Sequence, residues 1–276
     1  MASSSARRNR FRDTIKWLVE SVRIYLYSTI CCVYLLSVGM LFLRNRRFLS
    51  VICEHFKCLD QKPVPILPRI AISDLVSQDH SIRILEPLSQ DGHVSLLELV
   101  IMCKLIRAHK CSNIFEIGTY DGRTSLNMAA NVSNEAKVYT LDLPRDMIAS
   151  TQLSLAVGDQ KYIDKGLSGQ RFRGTDYEPR IMQLYGDSAT FNFSPFFNMM
   201  DFVFIDGSHS YDYVVNDSKI AVALLAKKKG MILWHDYDNP SWDGVTRALN
   251  ELYNSNPDFR GLRHIDGTML ALLWLE

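Results

Sequence analysis

The 276-residue sequence predicts a doubly wound α/β fold with a mostly parallel sheet. Short apolar runs alternate with stretches of helical period, the buried runs are near-continuously apolar, and two glycines punctuate the first strand-to-helix turn. With 47% hydrophobic residues the chain can bury one substantial core, so one domain plus an appendage is expected. A formal net charge of +1 gives no global footprint for nucleic acid, and nucleic-acid binding is not expected. Six cysteines without a paired CxxC motif describe neither a zinc site nor a disulfide framework.

The appendage is N-terminal. Residues 1–23 form a basic tail, and Ile24–Leu43 carry no charge and are long enough, at about 1.5 Å per residue, to span the roughly 30 Å core of a bilayer. A single transmembrane helix is expected there. The run ends in Arg44, Arg46 and Arg47 rather than in a small-residue cleavage site, which favours a retained anchor over a signal peptide. An amphipathic or packed N-terminal helix is the alternative. Basic residues flank both ends, so the positive-inside rule does not orient it. Residues 44–90 read as a juxtamembrane region and linker, in which Cys53 and Cys58 are weak candidates for S-acylation and the three prolines of Lys62–Pro68 favour an extended connector. The folded domain is placed at 91–276.

Within it, Leu97, Val100, Ile101 and Leu105 recur with a helical period. Strands follow at Asn113–Ile117, Lys137–Leu141, Ile181–Leu184, Phe202–Ile205 and Met231–Trp234. Helices lie near Thr124–Ala130, Tyr211–Leu225 and Gly244–Tyr253. Leu262–Ile265 and Met269–Leu273, around Asp266-Gly267, suit a terminal antiparallel hairpin that brings the sheet to seven strands.

The stretch from Asn113 to Ser125 sets a strand ending in Gly118 before a helix, with Gly122 in the turn, so the backbone can approach a ligand closely. Glu116 stands at the edge of this turn, where it can act through water or an amide. Asp142 ends the next strand, twenty residues after Gly122, where a carboxylate can accept hydrogen bonds from ribose hydroxyls. That spacing also occurs in dinucleotide-binding proteins, which keeps an NAD-dependent oxidoreductase open. The dinucleotide turn normally carries three glycines, however, and this one has two. Gly186-Asp187-Ser188 closes the third strand with a polar turn suited to an adenine.

The stretches FEIGTYDGRTS, YTLDLP, QLYGDS, DFVFIDGSHSYDYVVND, GMILWHDYD and DGTMLALL occur in order from Phe115 to Leu273. In these the chain resembles class I S-adenosylmethionine-dependent methyltransferases, and within them methyltransferase family 24. The resemblance implies a Rossmann-like fold and S-adenosyl-L-methionine as cofactor, with Gly118, Thr119 and Gly122 lining its methionine part, Asp142 holding the ribose and Asp187 with Ser188 flanking the adenine. Glu116, Tyr120, Asp121, Ser125, Leu143 and Asp206 complete the expected cofactor contacts.

Asp206-Gly207-Ser208-His209 follows the fourth strand, which places Asp206 and His209 at the rim beside the transferable methyl group. His209 is the general-base candidate, since histidine titrates near pH 6.5; capping of the following helix is the structural alternative. The face is similar to catechol-type methyltransferases, where an Asp after strand four and an Asp-Asn pair after strand five hold magnesium. Asp206 and Asp236 match that pattern as metal ligands for Mg²⁺, but Tyr237 stands where Asn is expected. Without a metal, Asp236 orients His209 or the substrate. The expected activity is methylation of a hydroxyl on a small-molecule, sugar-containing or lipid-linked acceptor, with the domain facing the cytosol, where S-adenosylmethionine is made. A non-catalytic methyltransferase-like scaffold is the remaining alternative, and the oligomeric state is left open. Arg171, Arg173 and Arg180 could meet an anionic acceptor, although exposed arginines are commonly just solvated.

Overall fold

The computed structural model describes residues 2–42, 45, 62–76, 80–164 and 168–275. The chain divides into two units, Met1–Gln61 and Lys62–Glu276. The first holds α1 (Ala2–Leu35), a 34-residue helix. Its segment Thr14–Leu35 is apolar and long enough to cross a membrane, a test that a signal sequence also passes. Ile24, Tyr25, Leu26, Ile30 and Val33 are exposed along it.

This helix begins and ends earlier than the expected Ile24–Leu43. Ser37 donates its hydroxyl to the Val33 carbonyl at 2.6 Å, and Gly39 follows in a short 3₁₀ turn, Val38–Leu41. Side-chain competition and a weak helix former stop the α-helix there. Arg44, Arg46, Arg47, Cys53 and Cys58 lie outside the described residues.

The second unit is one eight-stranded sheet. Its strands are β1 (Arg69–Ile70), β2 (Asn113–Ile117), β3 (Lys137–Asp142), β4 (Ile181–Tyr185), β5 (Phe202–Ile205), β6 (Gly230–Trp234), β7 (Arg263–Ile265) and β8 (Ala271–Leu275). Their order is β1-β7-β8-β6-β5-β2-β3-β4, parallel except where β8 runs against β6 and β7. The predicted fold class, with its antiparallel terminal hairpin, is borne out. The eighth strand, β1, was absent from the expectation of seven. It follows the proline connector and pairs with β7 through Arg69 and Ile70, too short a run to show a period of its own.

Alternation along the strands supplies two cores. Phe115, Val203, Ile232 and Trp234 face one way and meet Val214 and Ala221 of α4 (Tyr211–Leu224) and Val245 and Leu249 of α5 (Asp243–Ser255). Ile114, Phe202, Phe204, Met231 and Leu233 face the other way, against Leu99 and Met102 of α2 (Leu96–Ala108) and Met128 of α3 (Arg123–Ala130). Helices on both faces bury the parallel strands, as a doubly wound sheet requires.

The unit also starts earlier than residue 91. Segment 83–94 is laid against α3 by polar residues four apart. Asn127 accepts from Leu85 N at 2.8 Å and donates to Leu85 O at 3.0 Å, and Asn131 does the same with Arg83 at 2.8 and 2.7 Å. The buried Arg123 guanidinium donates to the carbonyls of Glu86, Val94 and Pro87. Each amide side chain thus completes the hydrogen bonding of an extended backbone, the condition for burying it. Farther upstream, Tyr237 Oη accepts from Ile66 N and Leu67 N, and Asn250 donates to Val64 O. Asn127→Ala strands both backbone groups of Leu85 and is expected to lower unfolding stability by about 1–3 kcal/mol. Urea denaturation of the full chain measures it, and an unchanged midpoint would show that the asparagine does not hold the segment.

Candidate active site

The chain runs outward from β2 through β3 to β4, then returns to β5 on the other side of β2. Such a reversal opens a crevice beyond the strand ends, the place where doubly wound sheets bind ligands. Gly118 and Asp206 meet in it. Gly118 has φ of +101°, and a Cβ there would lie 2.0 Å from the Asp206 carbonyl oxygen, so both conformation and space require glycine. A cavity of about 240 Å³ occupies the crevice.

Gly118, Tyr120, Asp142, Leu143, Asp187, Ser188, Asp206, His209 and Asp236, all singled out from the sequence, line this cavity. Glu116, Thr119, Asp121, Gly122 and Ser125 do not, and each has a structural occupation instead. Glu116 is fully buried, accepting from Ser125 Oγ and, at 2.6 Å, from Thr140 Oγ1. Burial pushes its carboxyl up to about 8; the hydroxyls of Ser125 and Thr140 oppose this, and the nearby Asp206 and Asp142 add to it. Thr119 Oγ1 pairs with Thr140 Oγ1 at 2.7 Å, while its backbone N donates to Asp142 Oδ1 at 3.3 Å. Asp121 holds His93 Nε2 at 2.7 Å and also the Arg171 guanidinium. Gly122 supplies the left-handed N-cap of α3. These five shape the turn from behind. Asp187, although it lines the cavity, accepts from Tyr213 Oη at 2.7 Å and from two backbone amides.

Beyond Asp206 the cavity wall becomes a buried charge network. His209 Nδ1 lies 2.6 Å from Asp159 Oδ1, and its Nε2 lies 2.8 Å from Asp236 Oδ2. With a carboxylate on each ring nitrogen the imidazole is held as imidazolium: burial opposes the charge, but Asp159 and Asp236 outweigh it and raise the pKa to about 9. His235 Nδ1 sits 3.2 Å from both Asp206 Oδ1 and Asp236 Oδ2, and Nε2 lies 3.4 Å from Glu98 Oε2, an ion-pair distance without hydrogen-bond geometry. Burial disfavours its charge as well, yet the carboxylates push it well above the ordinary value. Asp236 moves in the opposite sense, burial being overcome by the two imidazoles, and Glu98 is lowered to about 2 despite its burial, chiefly by His235.

Two expectations change accordingly. His209 is not poised as a general base, because neither ring nitrogen carries a free lone pair. Nor is it the helix cap, which is Ser210, accepting from Tyr213 N. The expected Mg²⁺ does not fit the donor set. Ligand atoms of Asp206, His209 and Asp236 lie within 4.8 Å of one another, a spacing that suits a cation. Yet Asp236 Oδ2 already faces two imidazoles, and its Oδ1 accepts from Asn239 Nδ2 at 2.5 Å. Magnesium favours an all-oxygen shell, and here it would have to displace the histidines. Tyr237 points inward, fully buried, with its hydroxyl on Ile66, Leu67 and Asn250.

Sequence reasoning missed Glu98, Asp159, Tyr162 and Trp242, and treated His235 as a packed strand-end residue. Glu98 had a signal: Ser95-x-x-Glu98 is a capping box, formed as such at the start of α2. Asp159 had none. It comes from the insertion between β3 and β4, accepts from Ser208 Oγ at 2.6 Å and Ala156 N at 2.9 Å, and is aimed by that local turn.

Strand order, the crevice at its reversal and the acids ending β3 and β5 define a Rossmann-like, class I methyltransferase-type domain. Residues 115–237 match the family model of the family 24 methyltransferase domain. The S-adenosylmethionine-dependent methyltransferase class expected from the motifs stands on this match. No curated protein sequence matches the chain. Among solved structures, the O-methyltransferase TomG of Streptomyces achromogenes, involved in tomaymycin synthesis and complexed with SAM, is 15% identical. The match covers 74% of this chain and 94% of that one, with a TM-score of 0.50, and shows a shared fold. An O-methyltransferase of Bacillus cereus complexed with SAH is 17% identical over 67% of this chain and 84% of its own, with a TM-score of 0.47.

The clamp on His209 predicts its titration. Its imidazolium should persist to about pH 9 in the folded protein rather than to 6.5, as read by NMR of the ring protons. Because the folded value lies above the unfolded one, the stabilisation is complete below about pH 6.5 and is lost as pH rises through about 9. Asp159→Asn should bring the titration back toward the ordinary range. Titration of wild-type His209 near 6.5 would contradict the clamp.

Proposed function

We propose that the protein transfers a methyl group to a hydroxyl of a small-molecule, sugar-containing or lipid-linked acceptor, tethered to a membrane by α1 with its catalytic domain on the cytosolic side. The observation that carries the reading is the meeting of two different half-sites at Asp206. One half is the β2–β4 strand ends, with Gly118, Asp142, Leu143 and Ser188 around a crevice suited to a nucleoside. The other is the imidazolium–carboxylate network.

S-adenosylmethionine, when bound, supplies an electrophilic methyl on a sulfonium. Asp142 and the Gly118 turn would hold its ribose and methionine parts in the crevice that Asp206 also lines. The chain's residues align the acceptor oxygen in line with that carbon. The cofactor would supply the methyl and keep the C–S electron pair on sulfur, while the Asp206 carboxylate would accept the hydroxyl proton and pass it to solvent. His235, held charged beside Asp236, keeps Asp206 oriented. His209, between Asp159 and Asp236, holds Asp236 in place. Support for the anchor is limited to the length and apolar surface of Thr14–Leu35.

Calorimetric titration tests the cofactor. Tight binding of S-adenosylhomocysteine is expected, weakened about tenfold or more in Asp142→Ala, a loss of about 1.4 kcal/mol. Binding of NADH alone would favour an oxidoreductase, and binding of neither a scaffold. Asp206→Asn should lower turnover by about 10² or more, as for loss of a general base, with S-adenosylhomocysteine affinity kept. EDTA should leave turnover unchanged, whereas loss of activity restored by Mg²⁺ would return Asp206 and Asp236 to the role of metal ligands.

A further inference from the structure

The acceptor end of the cavity has a chemical character of its own. Resting on the methyl-transfer reading above, we infer that the acceptor presents its hydroxyl on a ring free of anionic groups, and that phosphate- or carboxylate-bearing acceptors are rejected. Among the described residues lining the cavity, six are aspartates and none is lysine or arginine. The cationic histidines do not alter this, since His209 and His235 are each committed to two or more carboxylates.

The arginines that could have met an anion are engaged elsewhere. Arg171 is bonded to Asp121 and Glu86; Arg173 donates to Gln183 Oε1 and Tyr185 Oη; Arg180 donates to Ala129 O and Asn134. None of the three lines the cavity. Lys161, next to the lining residue Tyr162, has its ammonium 3.3 Å from Asp91 and 4.4 Å from the centre of the Tyr162 ring. An anionic acceptor would therefore lose its hydration among carboxylates, with no lysine or arginine among the described lining residues to replace it.

What the wall offers instead is aromatic surface. His93 and Tyr120 have ring centres 5.6 Å apart, Tyr120 and Tyr162 5.8 Å, Tyr162 and Trp242 6.4 Å, and Trp242 lies parallel to His209 at 4.0 Å. These five rings form one continuous row from the 83–94 segment across to the mouth of α5, and all of them line the cavity. Trp242 is seated by Gly158, where a Cβ would come within 2.3 Å of its ring. A row of ring faces and edges recognises the flat or C–H-rich surface of a ring, phenolic or sugar, and gives nothing to an anionic chain. Asp206 at the end of the row receives the hydroxyl.

The test uses full-length protein with methyl-deuterated S-adenosylmethionine and a small-molecule extract of a cell lysate, the products separated by ion exchange and read by mass spectrometry. At least tenfold more label is expected in the neutral and cationic fractions together than in the anionic one, on a compound whose fragmentation shows a ring. Trp242→Ala and Tyr162→Ala should each reduce that label at least tenfold while S-adenosylhomocysteine still binds. Label predominantly on anionic compounds, label on an open-chain neutral compound, or undiminished label in both variants would overturn the inference and leave methyl transfer standing. Label in no fraction, with S-adenosylhomocysteine bound, would overturn the transfer reading and this inference with it.

Discussion

Charges withdrawn from water must neutralise one another, and around Asp236 this requirement organises the molecule. Asp159, Asp236, His235 and Glu98 are all nearly fully buried. None could be charged alone at that depth without a cost of several kcal/mol. Together they alternate in sign: Asp159, His209, Asp236, His235, then Asp206 and Glu98. The members come from α2, the insertion after β3, and the loops after β5 and β6. Packing any of these elements without the others would leave a buried charge unpaired, so the network links the assembly of the site to the assembly of the domain.

The same logic explains why segments that look like linker are part of the site. The 83–94 segment has few apolar residues to bury, and its backbone is satisfied by Asn127, Asn131 and Arg123 rather than by a neighbouring strand. Held that way, it delivers Asp91 and His93 to the cavity, where Asp91 meets Tyr162 and Lys161 of the insertion. One wall is thus built from two irregular stretches that contact each other. Loops positioned by a rigid sheet are where specificity commonly resides.

The parts legible in the sequence are those governed by local periodicity. β2 and β5 were predicted with their observed bounds, and the other predicted strands within two residues, because buried parallel strands are short apolar runs between turn residues. Gly118, Asp142 and Asp206 were legible because each ends such a run. Glu116 and Ser125 were misplaced because motif position fixes where a residue sits along the chain, not which way it points: Glu116 alternates with Phe115 and Ile117 but turns toward Ser125 and Thr140 behind the turn. β1, Asp159 and Trp242 were illegible for a different reason. Two residues cannot display a period of two, and an aspartate and a tryptophan in irregular segments acquire meaning only from partners 50 and 33 residues away across the cavity.

The charge state of His209 shows how context can invert a residue's inferred chemistry. A histidine after a strand end, next to a reactive centre, reads as a base because its ordinary pKa lies near neutrality. Each ring nitrogen here faces a carboxylate, and two such partners outweigh burial. The ring is therefore held as an imidazolium. With Asp236 shared between His209 and His235, the positive charge is spread over two rings at either side of one carboxylate. Asp206 borders that pair yet also borders the Gly118 turn, which makes it the carboxylate common to both halves of the crevice. The neighbouring imidazolium of His235 holds this carboxylate from one side, and its position at the switch point of the sheet sets it against the Gly118 turn on the other.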